Sequence, residues 1–207
     1  AAAGSERDGQ EEMTAAATHS IGVPILRTER LPLRAPQVED APAYAAFYAS
    51  ERSHIIGGPL GETAAWKVLT NDVGHWTLRG YGWWSIDDGS GCVGSCGFHL
   101  PAGRPAVEIG WSLFSATGKG YATKAAKAAL AWADGRFAPL VSHIDRANAA
   151  SQAVAKRLGA HDTGTASAHD PDCNIWAYGA AAWPASPCKS PRCAVRASSC
   201  APRRGPL

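Results

Sequence analysis

Lys119, Lys124 and Lys127 crowd into one short stretch, SATGKGYATKAAK (Ser115–Lys127), at a point where the spacing of apolar residues predicts the start of a helix. The N-terminal end of a helix carries positive partial charge, so lysines gathered there cost stability unless an anion shares the site. Gly118 and Gly120 stand just ahead of the predicted helix and let backbone N–H groups approach such an anion closely. The chemistry implied is anion binding. Two other patterns imply less. Gly89-x-Gly91-x-x-Gly94 matches a dinucleotide fingerprint, but that fingerprint needs a helix after it and a β-rich run follows instead, so these are turn glycines. Cys92, Cys96 and His99 are metal-binding types, yet a four-residue step along a strand spans roughly 13 Å, too far for one ion.

The elements that must position the lysine loop follow from periodicity. LRTERLPLR alternates Leu31 and Leu33 with polar neighbours and predicts a strand, which Pro32 confines to a sheet edge. Two amphipathic helices come next, one with Tyr44, Phe47 and Tyr48 on its apolar face, the other with Trp66, Leu69, Val73 and Trp76. YGWWSIDDGSGCVGSCGFHL predicts a hairpin turning at Asp88-Gly89. In AVEIGWSLF, alternation puts Val107, Ile109, Trp111 and Leu113 on one face, with Glu108, Gly110, Ser112 and Phe114 on the other. The helix after the lysine loop runs to about Asp134, with Gly135 as its left-handed cap. A strand LVSHID, a helix opened by Asn148 and closed by Gly159, and a strand CNIWAY complete the pattern.

Composition bounds the rest. A chain of 207 residues with 45% apolar residues can bury one domain's core, and a net charge of +2 argues against nucleic acid or membrane as the main partner. No apolar run approaches the ~18 residues of a membrane span, so the reading is a cytoplasmic protein, monomer or homodimer. Residues 1–20 lack periodicity and are expected to be disordered, leaving a domain over 21–178. Residues 179–207 form a Pro- and Cys-rich tail with five basic and no acidic residues. Such a tail can touch RNA through phosphates, although a dispensable extension is the preferred reading.

Taken in order, TERLPLR, VEIGWSL, TGKGYAT and NAASQAVAKRLGA resemble the GNAT superfamily of acyl-CoA-dependent N-acyltransferases, closest to its ribosomal-protein alanine and serine N-terminal acetyltransferases. The likeness runs from about Ile25 to Tyr178. It implies a mixed α/β fold, a mostly antiparallel mixed sheet flanked by helices, with a splay between its two central strands. It also implies acetyl-CoA as cofactor and an amine acceptor, either a small molecule or a protein N-terminus. Cofactor contacts would come from Trp111, Ser112 and Leu113, from Thr117, Gly118, Lys119, Gly120, Tyr121, Ala122 and Thr123, and from Asn148. Lys119 and Lys124 would match phosphate charge, while Lys127 reads as part of a solvated face.

The same resemblance assigns chemistry. Glu108 is the expected base, with a solvent-facing strand residue as the alternative, and Gly110 beside it would leave room for substrate. Ser151 is the expected proton donor, with helix-start capping as its alternative and as the preferred role of Asn148. Backbone N–H groups around Trp111 to Leu113 would hold the oxyanion. Trp76, Trp83, Trp84 and Tyr81 are candidate acceptor-pocket residues, at least two of them expected in the core. Three departures stand out: Thr117 replaces the family's Gln or Arg, the loop is one residue short, and Ala155 occupies the position of a common tyrosine acid.

Overall fold

β-rich runs from both halves of the chain join one eight-stranded sheet in the computed structural model, which describes residues 22–179. The expected disordered segment over residues 1–20 and, but for Gly179, the basic tail lie outside the described residues. The strands are β1 (Leu26–Arg27), β2 (Pro32–Arg34), β3 (Trp83–Asp87), β4 (Cys92–His99), β5 (Val107–Leu113), β6 (Leu140–Asp145), β7 (Ala160–Ala166) and β8 (Cys173–Tyr178). Their spatial order is β1-β2-β3-β4-β5-β6-β8-β7, antiparallel throughout except for the pair β5–β6. The helices are α1 (Ala41–Tyr48), α2 (Glu62–Arg79), α3 (Tyr121–Ala133) and α4 (Ala149–Arg157). Among the described residues no helix is long and apolar enough to cross a membrane.

The LRTERLPLR stretch is two strands rather than one. Thr28 Oγ1 accepts the N–H of Leu31 and breaks the run into a turn, so β2 lies between β1 and β3 and, of these two strands, β1 alone is an edge. Pro32 is tolerated there as the first residue of its strand. β7 was not expected; it pairs with β8 alone, and its alternate residues face solvent.

Two cores flank the sheet. On one face the alanines of α3 (Ala125, Ala126, Ala129 and Ala133) let the helix lie close over Ile86, Cys96, Phe98 and Ile109. Trp76, Trp84 and Trp132 meet edge-to-face in the same core, with centroids 4.7–5.7 Å apart. On the other face Tyr44, Phe47 and Tyr48 of α1 and Leu69 of α2 surround Phe114. The stripe that α2 buries is Ala65, Leu69, Asp72, His75 and Trp76, so the expected core residues Trp66 and Val73 sit one step round the helix, exposed.

Asp72 is thus a buried carboxylate whose Oδ2 accepts the Tyr44 hydroxyl at 2.8 Å. Burial pushes it up to about 7, and the hydrogen bonds from Tyr44 and Asn71 only partly offset this. The unfolded chain ionises Asp72 near ~3.9, so stability falls as pH rises between that value and about 7. Asp72→Asn keeps the acceptor without the charge and is expected to gain about 2 kcal/mol at pH 8 but little at pH 4. Urea unfolding at the two pH values measures it; an equal change at both would refute it.

Candidate active site

The site begins where the sheet parts. β5 and β6 pair only at Val107–Leu140 and Glu108–Val141, and then diverge although β5 continues to Leu113 and β6 to Asp145. The Phe114 N–H is bonded to Val93 O on the β4 side, so strand alternation turns the N–H groups of Trp111 and Leu113 toward the gap. The gap's closed end is tied by Ser142, whose Oγ donates to Ile109 O at 2.6 Å and lies 3.1 Å from the Tyr178 hydroxyl. Tyr178 and Trp111 pack in turn against the cluster containing Ala155, so apolar and aromatic side chains fill the surroundings of that alanine.

Glu108 stands at the same closed end on the opposite face from Trp111, and it is largely buried rather than solvent-facing. Its Oε2 lies 3.4 Å from His99 Nε2 on β4, and its Oε1 lies 3.4 Å from the backbone N of His143 on β6. Burial pushes its carboxyl up to about 7, with nearby Arg104 and the His143 N–H pulling the other way. Burial also lowers His99 and His143 to about 4, so both imidazoles are neutral at physiological pH. A carboxylate that titrates near neutrality beside a neutral imidazole suits proton abstraction. The room expected over Gly110 is taken by Trp83: a Cβ there would lie 2.5 Å from the indole. Of the four aromatic candidates Trp83 faces Glu108's neighbourhood, 5.6 Å from the His99 ring; Trp76 and Trp84 are core, and Tyr81 stands against His75 and Phe137.

From the gap a cleft of about 800 Å³ opens between α3 and α4. Every expected cofactor contact except Lys119 lines it, and Ser151 does too. Gly118 and Gly120 adopt φ of +80° and +75°, left-handed values that favour glycine, with open space around both. The first N–H groups of α3 therefore point out of the helix beside an uncrowded loop, a cradle that fits a phosphate-bearing cofactor. Asn148 caps α4 by accepting the Ser151 N–H at 3.0 Å, which leaves the Ser151 hydroxyl on the cleft wall.

The cations are arranged differently from expectation. Lys119 lies 5.6 Å over the Tyr121 ring, outside the cleft lining, whereas Lys124 lines the cleft as expected and is also paired with Glu29 at 2.8 Å. Lys127, expected on a solvated face, lines the cleft with Arg52 and Arg157. Arg52 donates to Phe114 O at 2.6 Å and to Leu113 O at 2.7 Å, so it braces the outer end of β5.

The acetyltransferase (GNAT) domain family matches residues 30–161 of the 207. The chain belongs to this family. Among solved structures, the acetyltransferase from Agrobacterium tumefaciens str. C58 is 36% identical, with a TM-score of 0.71 over 79% of this chain and 99% of its own. A GnaT-family acetyltransferase from Bordetella pertussis is 26% identical, with a TM-score of 0.65 over 76% and 100%. RimL, the ribosomal L7/L12 α-N-protein acetyltransferase, in complex with coenzyme A shares the fold at 20% identity, with a TM-score of 0.55 over 74% and 97%. None of the curated proteins matches the chain. The parted β5–β6 pair of this GNAT domain agrees with the splay that the resemblance implied.

Proposed function

We propose that the protein transfers an acetyl group from acetyl-CoA to a primary amine by direct attack in a ternary complex, with a peptide or protein N-terminus as the favoured acceptor. The observation that carries this reading is the parted β5–β6 pair, which offers two unpaired N–H groups on the cleft side while Glu108 stands buried at its closed end. Bound acetyl-CoA would supply an activated thioester. Gly118, Gly120 and the first turn of α3 would hold its pyrophosphate, with Arg52, Lys127 and Arg157 lending positive charge to the cleft. The Trp111 and Leu113 N–H groups are turned to stabilise negative charge at the carbonyl oxygen. Glu108 takes a proton from the attacking amine, directly or through a water, and Ser151, on the cleft wall, would return one to the departing sulfur.

An α-amine titrates near ~8 and a lysine side chain near ~10.4, so a base poised at about 7 deprotonates the former more readily. The deciding experiment is isothermal titration with acetyl-CoA. Micromolar binding is expected for the intact protein, and its loss for Gly120→Trp, which forces a bulky side chain onto a left-handed position facing the cleft. No binding by the folded intact protein would sink the reading. A second reading, a non-catalytic acyl-CoA-binding module, draws on Thr117 and Ala155; it predicts binding without thiol release in the presence of any amine.

A further inference from the structure

The cofactor loop makes few bonds of its own. Its backbone bonding is confined to a tight turn at Thr117–Gly118; the nearest bonds beyond that turn are Ser115 N to Val93 O before the loop and Lys124 N to Gly120 O after it. The segment also holds three left-handed residues, Ala116 at φ +54°, Gly118 at +80° and Gly120 at +75°. For alanine that conformation is unfavourable and must be imposed by its surroundings. A loop with so little internal bonding, bent in this way, would sample many shapes unless something outside it held one.

Ala116 packs against the main core at one end of the loop, and among the described residues one hydrogen bond from outside reaches the loop's backbone, from a residue 89 positions earlier. Arg30 Nη2 donates to Lys119 O at 2.9 Å, and the same guanidinium lies 5.4 Å over the Tyr121 ring, the first residue of α3. Arg30 can do this because its own turn is fixed: Thr28 Oγ1 accepts the Leu31 N–H at 3.0 Å, and Thr28 N–H donates to Leu31 O at 2.9 Å. Beside it Glu29 holds Lys124 at 2.8 Å in the first turn of α3. Two consecutive residues of the β1–β2 turn thus grip the loop and the helix on both sides of Gly120.

We propose that Arg30 is a positioning residue for the cofactor, acting through the loop: it holds Lys119 O and Tyr121 so that the N–H groups of residues 118–120 are set for phosphate before any ligand arrives. This rests on the cofactor reading of the cleft given above. When the tie is removed the loop must be ordered at the moment of binding, and affinity falls by that cost. A positioning role differs from a direct contact with phosphate in one measurable way. Loss of a direct ion contact shrinks as salt rises, because salt screens it in the wild type too, whereas loss of preorganisation does not.

The test compares acetyl-CoA binding by isothermal titration in the full chain and its Arg30→Ala and Arg30→Lys variants, at about 50 mM and about 300 mM salt. Arg30→Ala is expected to weaken the Kd about tenfold at both salt concentrations while kcat at saturating cofactor and the KM for the amine stay within about twofold. Arg30→Lys, which keeps reach and a donor, should recover most of the affinity. Arg30 is exposed, so the melting temperature should hold and folding failure is not a confounder. A Kd unchanged in Arg30→Ala, or a loss that fades at the higher salt, overturns the proposal. If the wild type itself binds no acetyl-CoA, the cofactor reading fails and this inference with it; wild-type binding that Arg30→Ala leaves intact defeats the inference alone.

Discussion

Glu108→Gln is expected to lower kcat/KM for an amine acceptor by about 10²–10⁴-fold at pH 8, the range for loss of a general base. Glutamine keeps the shape of the side chain and an oxygen that can accept from the His143 N–H, but it cannot take a proton. With the concentration of free amine held constant, the wild-type rate should climb with pH to a plateau above about 7, where the carboxyl ionises, and the variant should lose that limb. Stability should move the opposite way. The folded state holds the Glu108 proton up to about 7, whereas the unfolded chain releases it near ~4.3, so the wild type loses stability across that window. Glutamine escapes the loss and should be more stable above pH 7, by up to about 3 kcal/mol. Reduced activity with raised stability cannot come from general unfolding. A variant that retains near-wild-type rates, or an unchanged pH limb, would remove Glu108 from the chemistry.

That carboxylate shows where the sequence is informative and where it is silent. Alternation along β5 put Glu108, Gly110 and Ser112 on one face, as observed, because side-chain direction in a strand is a local matter. Its burial was not local. His99 arrives from β4 and His143 from β6, and only the register of three strands brings them to the two oxygens. The glycines of the cofactor loop and the cap at Asn148 were legible for the same local reason. Arg52 and Arg30 were not: their partners lie 61, 62 and 89 residues away, and no spacing rule spans such gaps. The ion pair of Lys124 with Glu29 was hidden in the same way, since the two stand 95 residues apart. β7 escaped notice because a polar edge strand with one partner carries almost no hydrophobic alternation, and Gly164 interrupts it.

Asp40→Ala is expected to be the most destabilising single change away from the cleft, by about 3–4 kcal/mol. Asp40 is 2% exposed and accepts from Arg34 Nη1 at 2.9 Å, Arg34 Nη2 at 2.7 Å, the Ser85 hydroxyl at 2.6 Å and the Gln37 N–H at 3.0 Å. It also sits directly before α1, where negative charge is favourable. Alanine leaves the half-buried guanidinium with Asp87 as its remaining carboxylate and strips the partner from a fully buried serine. Burial by itself would raise the Asp40 carboxyl, but the hydrogen bonds from Arg34, Ser85 and Gln37 outweigh it and the carboxyl lies below its usual value. Its contribution is therefore complete above ~3.9 and is lost as pH falls below, so the gap between wild type and variant should narrow on acidification. If the uncompensated charge is the cause, Arg34→Met in the Asp40→Ala background should restore part of the loss. Urea unfolding of the two variants at pH 7 decides: a double variant no more stable than Asp40→Ala would assign the cost to Ser85 and the helix end rather than to the stranded arginine.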